Sequence, residues 1–321
     1  MYRILNLDPK SFKGASLDLL MLNAQIDSHE QIGNIDRELT KKYLGMVCRL
    51  GVTLDAQILS RFENLSFIAT VTTGLDHIDL DYCDRNNINV ISLKNEKQFL
   101  HTIRATPEHT WALLLALLRR IEPAFQSVKE QRWERQNFFG RELFGKKIGI
   151  IGFGRVGSII GRYANAFGME VIANDIVDIM PGDFLVRQVS LNQLLEDSDI
   201  VTVHVPLESD TANLIGYNEL SLMKRSSFLV NTSRGAIVNE SALIKALENS
   251  IIAGAAVDVL SDETKPNYHY SSNKMISFAA SSENLLITPH IAGSTIESME
   301  NTSLFIAKKI VKILERLKYE L

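Results

Sequence analysis

The stretch Ile148-Gly-Ile-Ile-Gly152-Phe-Gly154-Arg-Val-Gly157 restricts the possible folds of this chain more than any other. Residues 148–151 are Ile-rich, the pattern of a strand buried on both faces, and they run directly into a Gly-x-Gly-x-x-Gly turn and a helical pattern. Gly152 permits the tight turn, Gly154 lets a pyrophosphate approach the backbone, and Gly157 lets the helix lie close to its strand. The phosphates would rest on the helix N-terminus, where N–H groups lack partners. The helix spans residues 155–167 and is closed by Gly168; the next strand, residues 171–175, ends on Asp175. A carboxylate roughly 20 residues beyond the turn is placed to accept from a ribose 2′-hydroxyl. No Arg or Lys occurs in residues 176–183 to hold a 2′-phosphate, so NAD is expected over NADP.

A chain of 321 residues exceeds one typical domain, and two are expected. Its 45% hydrophobic and 22% charged residues are those of a globular protein, and a net charge of −4 gives no basic footprint for nucleic acid. Cys48 and Cys83 stand in no metal or redox spacing, so buried thiols in a reducing compartment and no metal site are expected. The first residues lack a secretory apolar core, and the longest apolar run, residues 111–118, is too short to span a bilayer. The expectation is a cytoplasmic protein without a membrane partner.

The first hundred residues alternate strands and helices, the mark of a parallel sheet with crossover helices. Strands are expected at 3–7, 46–48, 67–71 and 89–93, helices at 55–62 and 80–86, with a mixed stretch from 8 to 27. The loop Thr72-Thr73-Gly74-Leu75-Asp76-His-Ile-Asp79 either meets a ligand or caps its own helix through Asp76 or Asp79. Residues 95–104 are polar and irregular, and the domain crossing is expected there. Thr106 then reads as an N-cap with Pro107 at the first helical position. The following run from Trp111 is apolar all round, so it must be enclosed between domains or between subunits. His109 reads as a packed structural residue. Beyond Asp175, helices are expected at 191–196, 217–223 and 240–247, the last capped by Asn239. Strands are expected at 200–206, 227–231, 253–259 and 285–290, with a Ser- and Asn-rich loop over 268–282. A final amphipathic helix, with Ser294 and Glu297 as a capping box, carries Ile306, Ile310, Ile313, Leu314 and Leu317 on one face and is expected to return to the first domain.

Arg234, Asp258, Glu263 and His290 each fall at or just after a strand end. A nicotinamide enzyme acting on a 2-oxo acid needs a cation that grips the carboxylate as a two-bond fork, and a proton donor beside the carbonyl oxygen. Histidine suits the second task, and a neighbouring carboxylate favours its charged form. Taken singly, Arg234 also fits an ion-pair partner, Glu263 a solvated acid and His290 a turn residue.

The segments Val230-Asn-Thr-Ser-Arg234-Gly-Ala, Ala256-Val-Asp258-Val-Leu-Ser-Asp-Glu263 and Thr288-Pro-His290-Ile-Ala-Gly293-Ser-Thr resemble the three signatures of the D-isomer-specific 2-hydroxyacid dehydrogenases. The resemblance covers nearly the whole chain, including Gly74 to Asp79, Glu108-His-Thr and Glu142-Leu-Phe-Gly-Lys. It implies an α/β fold of two domains. A Rossmann-type doubly wound parallel sheet for NAD, residues 105–292, is inserted in a smaller flavodoxin-like substrate domain, residues 1–104 and 293–321. It further implies that Arg234 binds the substrate carboxylate, with His290 as acid/base and Glu263 as its partner. Asp258 would approach the nicotinamide carboxamide. Arg155, Val156, Asp175, His204, Val205, Pro206, Thr232, Ser233 and Gly293 would line the cofactor together with the Gly turn, Arg234 and His290. Thr73, Gly74, Leu75 and Arg49 would meet a small 2-hydroxy or 2-oxo acid.

Members of the family commonly form homodimers through the cofactor domain. Phosphoglycerate specificity is an alternative within the family, with Arg49 as one basic residue but Thr70 where a second would stand; NAD-sensing corepressors on the same scaffold are another. This chain departs from the family pattern at Thr72, usually Gly, at Thr264, usually Pro, and over residues 94–104. These departures bear on substrate choice more than on hydride chemistry.

Overall fold

The computed structural model describes residues 1–32, 35–180, 182–265 and 268–319, so the last two residues of the expected substrate domain lie outside it. Two compact units are present, the first made of Met1–Ile103, Thr264–Tyr268 and Ser294–Leu321, the second of Arg104–Glu263 and His269–Gly293.

The first unit contains the strands β1 (Arg3–Asn6), β2 (Gln25–Ser28), β3 (Gly45–Cys48), β4 (Phe67–Thr70) and β5 (Asn89–Ile91). They pair in parallel in the order β2-β1-β3-β4-β5. Residues alternate between the faces of a strand. Leu5, Met46 and Ile68 therefore enter one core, and Ile4, Val47, Phe67 and Ala69 the other. Helices cover both faces, which is why the central strands β3 and β4 carry no exposed side. The second core is completed by the tail helix Ile296–Tyr319, whose Ile306, Ile310 and Leu314 are fully buried. Thr295, not Ser294, caps that helix, accepting from Ser298 N–H at 3.1 Å.

The second unit holds β6 (Lys147–Ile151), β7 (Glu170–Asn174), β8 (Val186–Gln188), β9 (Ile200–Val203), β10 (Phe228–Asn231), β11 (Gly254–Val257) and β12 (Leu285–Ile287), all parallel in the order β12-β11-β10-β9-β6-β7-β8. Chain direction across the sheet reverses between β6 and β9, and at such a switch point the crevice outside the carboxyl ends receives ligands. The fold is thus α/β and doubly wound.

Several local expectations change. The helix Ala105–Leu118 starts one residue before Thr106, with Arg104 as N-cap and no side-chain cap. Pro107 then sits at its third position, still within the first turn, where no N–H partner is missed. The apolar run is enclosed within the second unit itself: Leu113, Leu114, Leu117 and Leu118 join one core, and Trp111 packs edge-on against Tyr163 and Phe167 at 5.9 and 5.1 Å. Residues 95–104 include a short helix, Lys97–Leu100, stabilised by Phe99 stacking on Phe305 at 4.0 Å and by Glu96 pairing with Lys309 at 2.6 Å. The Ser- and Asn-rich loop contains the helix Lys274–Ala279, capped by the Asn273 side chain and anchored by buried Met275. The edge strand β8 and, in the mixed stretch, the helix Ala15–Met21 and β2 were too short or too polar to show a period.

Candidate active site

The Gly turn lies at the switch point. After β6, Gly152 takes φ +86°, a left-handed conformation that side chains disfavour. At Gly157 a Cβ would stand 2.1 Å from the Gly152 carbonyl oxygen, so the helix Arg155–Ala166 can lie against β6 only without a side chain there. Gly154 is different: a Cβ would meet nothing within 4 Å, which leaves space in front of the helix N-terminus. Open space, unpaired helix N–H groups and nearby cations together fit a pyrophosphate. One cation is Arg155, whose guanidinium is held below its usual pKa by burial and then by the neighbouring Arg104. Arg104 is a charge that the sequence reading missed, since nothing in the order of residues places it beside Arg155. Val156 packs at the edge of the core below.

Asp175 follows β7, and its carboxylate accepts from Phe153 N–H at 2.7 Å and from Val177 N–H at 3.0 Å. The acid is thereby fixed against the Gly turn. His204 follows β9; burial lowers its imidazole pKa to about 3, so it is neutral at pH 7. Its Nε2 is buried without a hydrogen-bond partner among the described residues, an orphaned polar atom at the carboxyl edge of the sheet. Val205 packs against the core, and Pro206 is exposed with its carbonyl accepting from the Thr211 hydroxyl at 2.7 Å.

After β10, Asn231 organises the next turn. Its Oδ1 accepts from Ser233 N–H at 3.0 Å and from the Ser233 hydroxyl at 2.8 Å, and its Nδ2 donates to the Arg234 carbonyl at 2.9 Å. The half-buried Arg234 side chain donates to the Ser233 carbonyl at 2.8 Å. Gly235 packs backbone to backbone with Leu260 and Ser261, since a Cβ there would come within 2.1 Å of the Leu260 carbonyl carbon. The Arg234 turn therefore abuts the segment that carries Glu263. Thr232 is buried and shares a 2.7 Å hydroxyl contact with Thr110. The organising role of Asn231 was legible only as an Asn at a strand end.

His290 and Glu263 come together. His290 Nδ1 lies 2.7 Å from Glu263 Oε1, with side-chain exposures of 23% and 14%. An ionised carboxylate only accepts, so Nδ1 carries the proton and Nε2 is left to hold or release a transferable one. His290 has φ +52°, a strained backbone for a residue with a Cβ, and the surroundings must enforce it. They do so through Asp258, which is fully buried. Its Oδ1 accepts from the Thr288 hydroxyl at 2.5 Å and Ile291 N–H at 2.9 Å, and its Oδ2 from Ala292 N–H at 2.7 Å. The Asp258 carbonyl accepts from His290 N–H at 2.8 Å. The Asp258 carboxylate thus holds the turn that presents His290. His109 is the structural residue expected: its Nε2 donates to Thr288 Oγ1 at 3.0 Å and lies 3.4 Å from Asp258 Oδ1. Gly293 closes the segment in open space.

In the first unit, side chains of the loop after β4 bond to neighbours close in sequence. The Thr72 hydroxyl donates to the Gly74 carbonyl at 2.7 Å and lies 3.1 Å from the Thr70 hydroxyl. Asp79 caps the helix Leu80–Arg85, accepting from Tyr82 N–H at 2.8 Å, while Thr73 is exposed and Leu75 is partly buried. At the end of β3, Arg49 has a buried Nε with no hydrogen-bond partner among the described residues, and its charge acts on Asp8. Burial nonetheless raises the Asp8 pKa, against the hydrogen bonds from Ser11 and the pull of Arg49.

Residues 111–292 match the family described as D-isomer specific 2-hydroxyacid dehydrogenase, NAD binding domain. A D-3-phosphoglycerate dehydrogenase from Archaeoglobus fulgidus is 36% identical over 85% of this chain and 50% of its own length. A glycerate dehydrogenase from Methylorubrum extorquens is 34% identical over 82% of this chain and 83% of its own. The chain thus spans about half the length of some of the curated relatives it matches. The crystal structure of a D-lactate dehydrogenase from Aquifex aeolicus, complexed with NAD and lactic acid, superposes with a TM-score of 0.83 at 27% identity, covering 99% of this chain and 96% of that one.

Proposed function

The chain belongs to the D-isomer-specific 2-hydroxyacid dehydrogenases, and from that premise we propose that it interconverts a small D-2-hydroxy acid and its 2-oxo acid. Its second unit is an NAD-binding domain of this family. NAD, when bound, supplies or accepts the hydride at the substrate C2. Gly152, Gly154 and Gly157 leave room for the pyrophosphate at the helix N-terminus. Asp175 accepts from the ribose 2′-hydroxyl, and its negative charge disfavours a 2′-phosphate. His204, Val205, Pro206, Thr232, Ser233 and Gly293 line the cofactor.

Arg234 grips the substrate carboxylate as a two-bond fork. His290 gives its Nε2 proton to the carbonyl oxygen during reduction and takes it back in oxidation, while Glu263 keeps Nδ1 protonated and the ring oriented. Arg49, Thr73, Gly74 and Leu75 meet the substrate from the first unit, whose role is substrate binding. The observation that carries this reading is the 2.7 Å contact of His290 with Glu263, set on a turn that buried Asp258 holds in a strained conformation.

The test is NADH oxidation across a panel of 2-oxo acids: glyoxylate, hydroxypyruvate, pyruvate and phosphohydroxypyruvate. Turnover is expected with at least one, and His290→Gln should reduce kcat about 10²- to 10⁴-fold with NADH affinity kept. NADH binding without turnover on any member would favour an NAD-sensing role instead. The protein is further proposed to act as a homodimer in the cytoplasm. Phe125, Trp133, Phe139 and Phe144 of the second unit are 64–86% exposed, large apolar side chains that a second copy would cover. Free, buried Cys48 and Cys83 suit a reducing compartment. Sedimentation of the purified chain at monomer mass would overturn the dimer. Among the described residues, no helix is long and apolar enough to cross a membrane.

A further inference from the structure

The first unit includes the short segment Thr264–Tyr268, and it begins one peptide bond after Glu263. A side chain far away in sequence fastens its start: the Thr53 hydroxyl donates to the Thr264 carbonyl at 2.5 Å. The preceding carbonyl, that of Glu263, accepts from the Tyr270 hydroxyl at 3.4 Å, a longer and weaker bond. Thr53 itself is held firmly. It lies between buried Val52 and Leu54, and Leu54 makes a parallel bridge with Ile78, donating to the His77 carbonyl at 2.7 Å and accepting from Asp79 N–H at 2.9 Å. A continuous line of bonds therefore runs from the loop that follows β4, through Leu54 and Thr53, to the residue next to Glu263.

We propose that Thr53 is a positioning residue for the acid/base pair. It fixes the backbone at Thr264, and so the reach of the Glu263 carboxylate toward His290 Nδ1, from the same strand bridge that anchors the Gly74–Asp79 loop. This rests on the catalytic reading of Glu263 and His290 given above. A carboxylate must sit within hydrogen-bond reach of the imidazole to orient it, and a shift of a few tenths of an ångström weakens that bond. Glu263 lies on a turn with no regular secondary structure of its own, so its position depends on such fastenings.

The experiment compares Thr53→Val, which keeps the shape and removes the hydroxyl, with Thr53→Ser, which keeps the hydroxyl, each in the wild-type and the Glu263→Gln background. Loss of one hydrogen bond corresponds to about fivefold in rate. Thr53→Val should lower kcat by about that factor with KM for the 2-oxo acid nearly unchanged, Thr53→Ser should restore it, and in the Glu263→Gln background Thr53→Val should change little. Full kcat in Thr53→Val, or the same loss with and without Glu263, would overturn the proposal. If the wild-type chain turns over no 2-oxo acid, the functional reading fails and the catalytic part of this proposal with it. The fastening is then judged by amide exchange at Glu263 and Thr264, which should quicken in Thr53→Val and not in Thr53→Ser; equal exchange in both would remove it as well.

Discussion

The His290 turn and the loop after β4 both leave the carboxyl end of a parallel strand, yet their side chains are bonded differently. Around His290 the bonds are long in sequence: buried Asp258 accepts from Thr288, Ile291 and Ala292, and Glu263 is 27 residues from the imidazole it meets. Around Gly74 the bonds of the Thr72 and Asp79 side chains are short, Thr72 reaching two residues on and Asp79 capping the next helix, while the long-range bonds there are made by backbone, at Leu54 and Leu93. A group that moves a proton must be aimed at one atom, whereas a loop that accepts a substituent needs only a fitting surface. In the proposed reading, long-range side-chain fixing suits the first task and local side-chain closure the second.

The largest test of that contrast is Asp258→Ala. It leaves three donors of the His290 turn unpaired in a buried site, and stability should fall by about 3 kcal/mol or more, with kcat reduced about a hundredfold. A variant that melts like the wild type would show that the turn holds itself. Next comes the pair Gly157→Ala and Gly154→Ala. The first should unfold or strongly destabilise the second unit, because its Cβ meets backbone at 2.1 Å. The second should melt normally and weaken NADH binding about tenfold, since the space it fills is the ligand's. Equal stability of the two would break the steric argument.

His204 gives a smaller, pH-dependent effect. Its pKa falls from 6.5 to about 3 on folding, so between those values the unfolded chain binds a proton that the native one does not. The stability it contributes is present above pH 6.5 and is lost as pH falls toward 3. His204→Asn should therefore lose less Tm than the wild type between pH 7 and pH 5, and parallel curves would refute the assignment. Smallest of all, Thr72→Gly should alter KM ratios across the 2-oxo acid panel by about threefold or less, with NADH affinity unchanged. An equal loss of kcat on every member would mean that the loop serves the chemistry and not only the choice of substrate.

Much of the fold was legible because its signals are local. A buried strand, a glycine turn and a following helix sit side by side in the chain, and the alternation of strands with helices implies a parallel sheet. Asn239 was readable as a cap for the same reason, and its side chain accepts from Ala242 N–H at 2.9 Å. The helix Lys274–Ala279 was overlooked among serines and asparagines although Asn273 marks its start. Lys97–Leu100 is only four residues long, and it exists because Phe99 finds Phe305.

Residue type and near spacing in the sequence were enough for the alternating strands and helices and for the place of the NAD-binding turn, whereas Arg234, Glu263 and His290 stood out through segments that resemble the family's signatures. Tertiary structure alone decided that Asp258 serves the His290 turn, that Arg104 lies near Arg155, and that the helix from Ala105 is enclosed within its own unit. Thr53, 211 residues from the carbonyl it holds, belongs to the same class. A hydrogen bond depends on distance in space, and separation along the chain carries no record of it until the strands have paired.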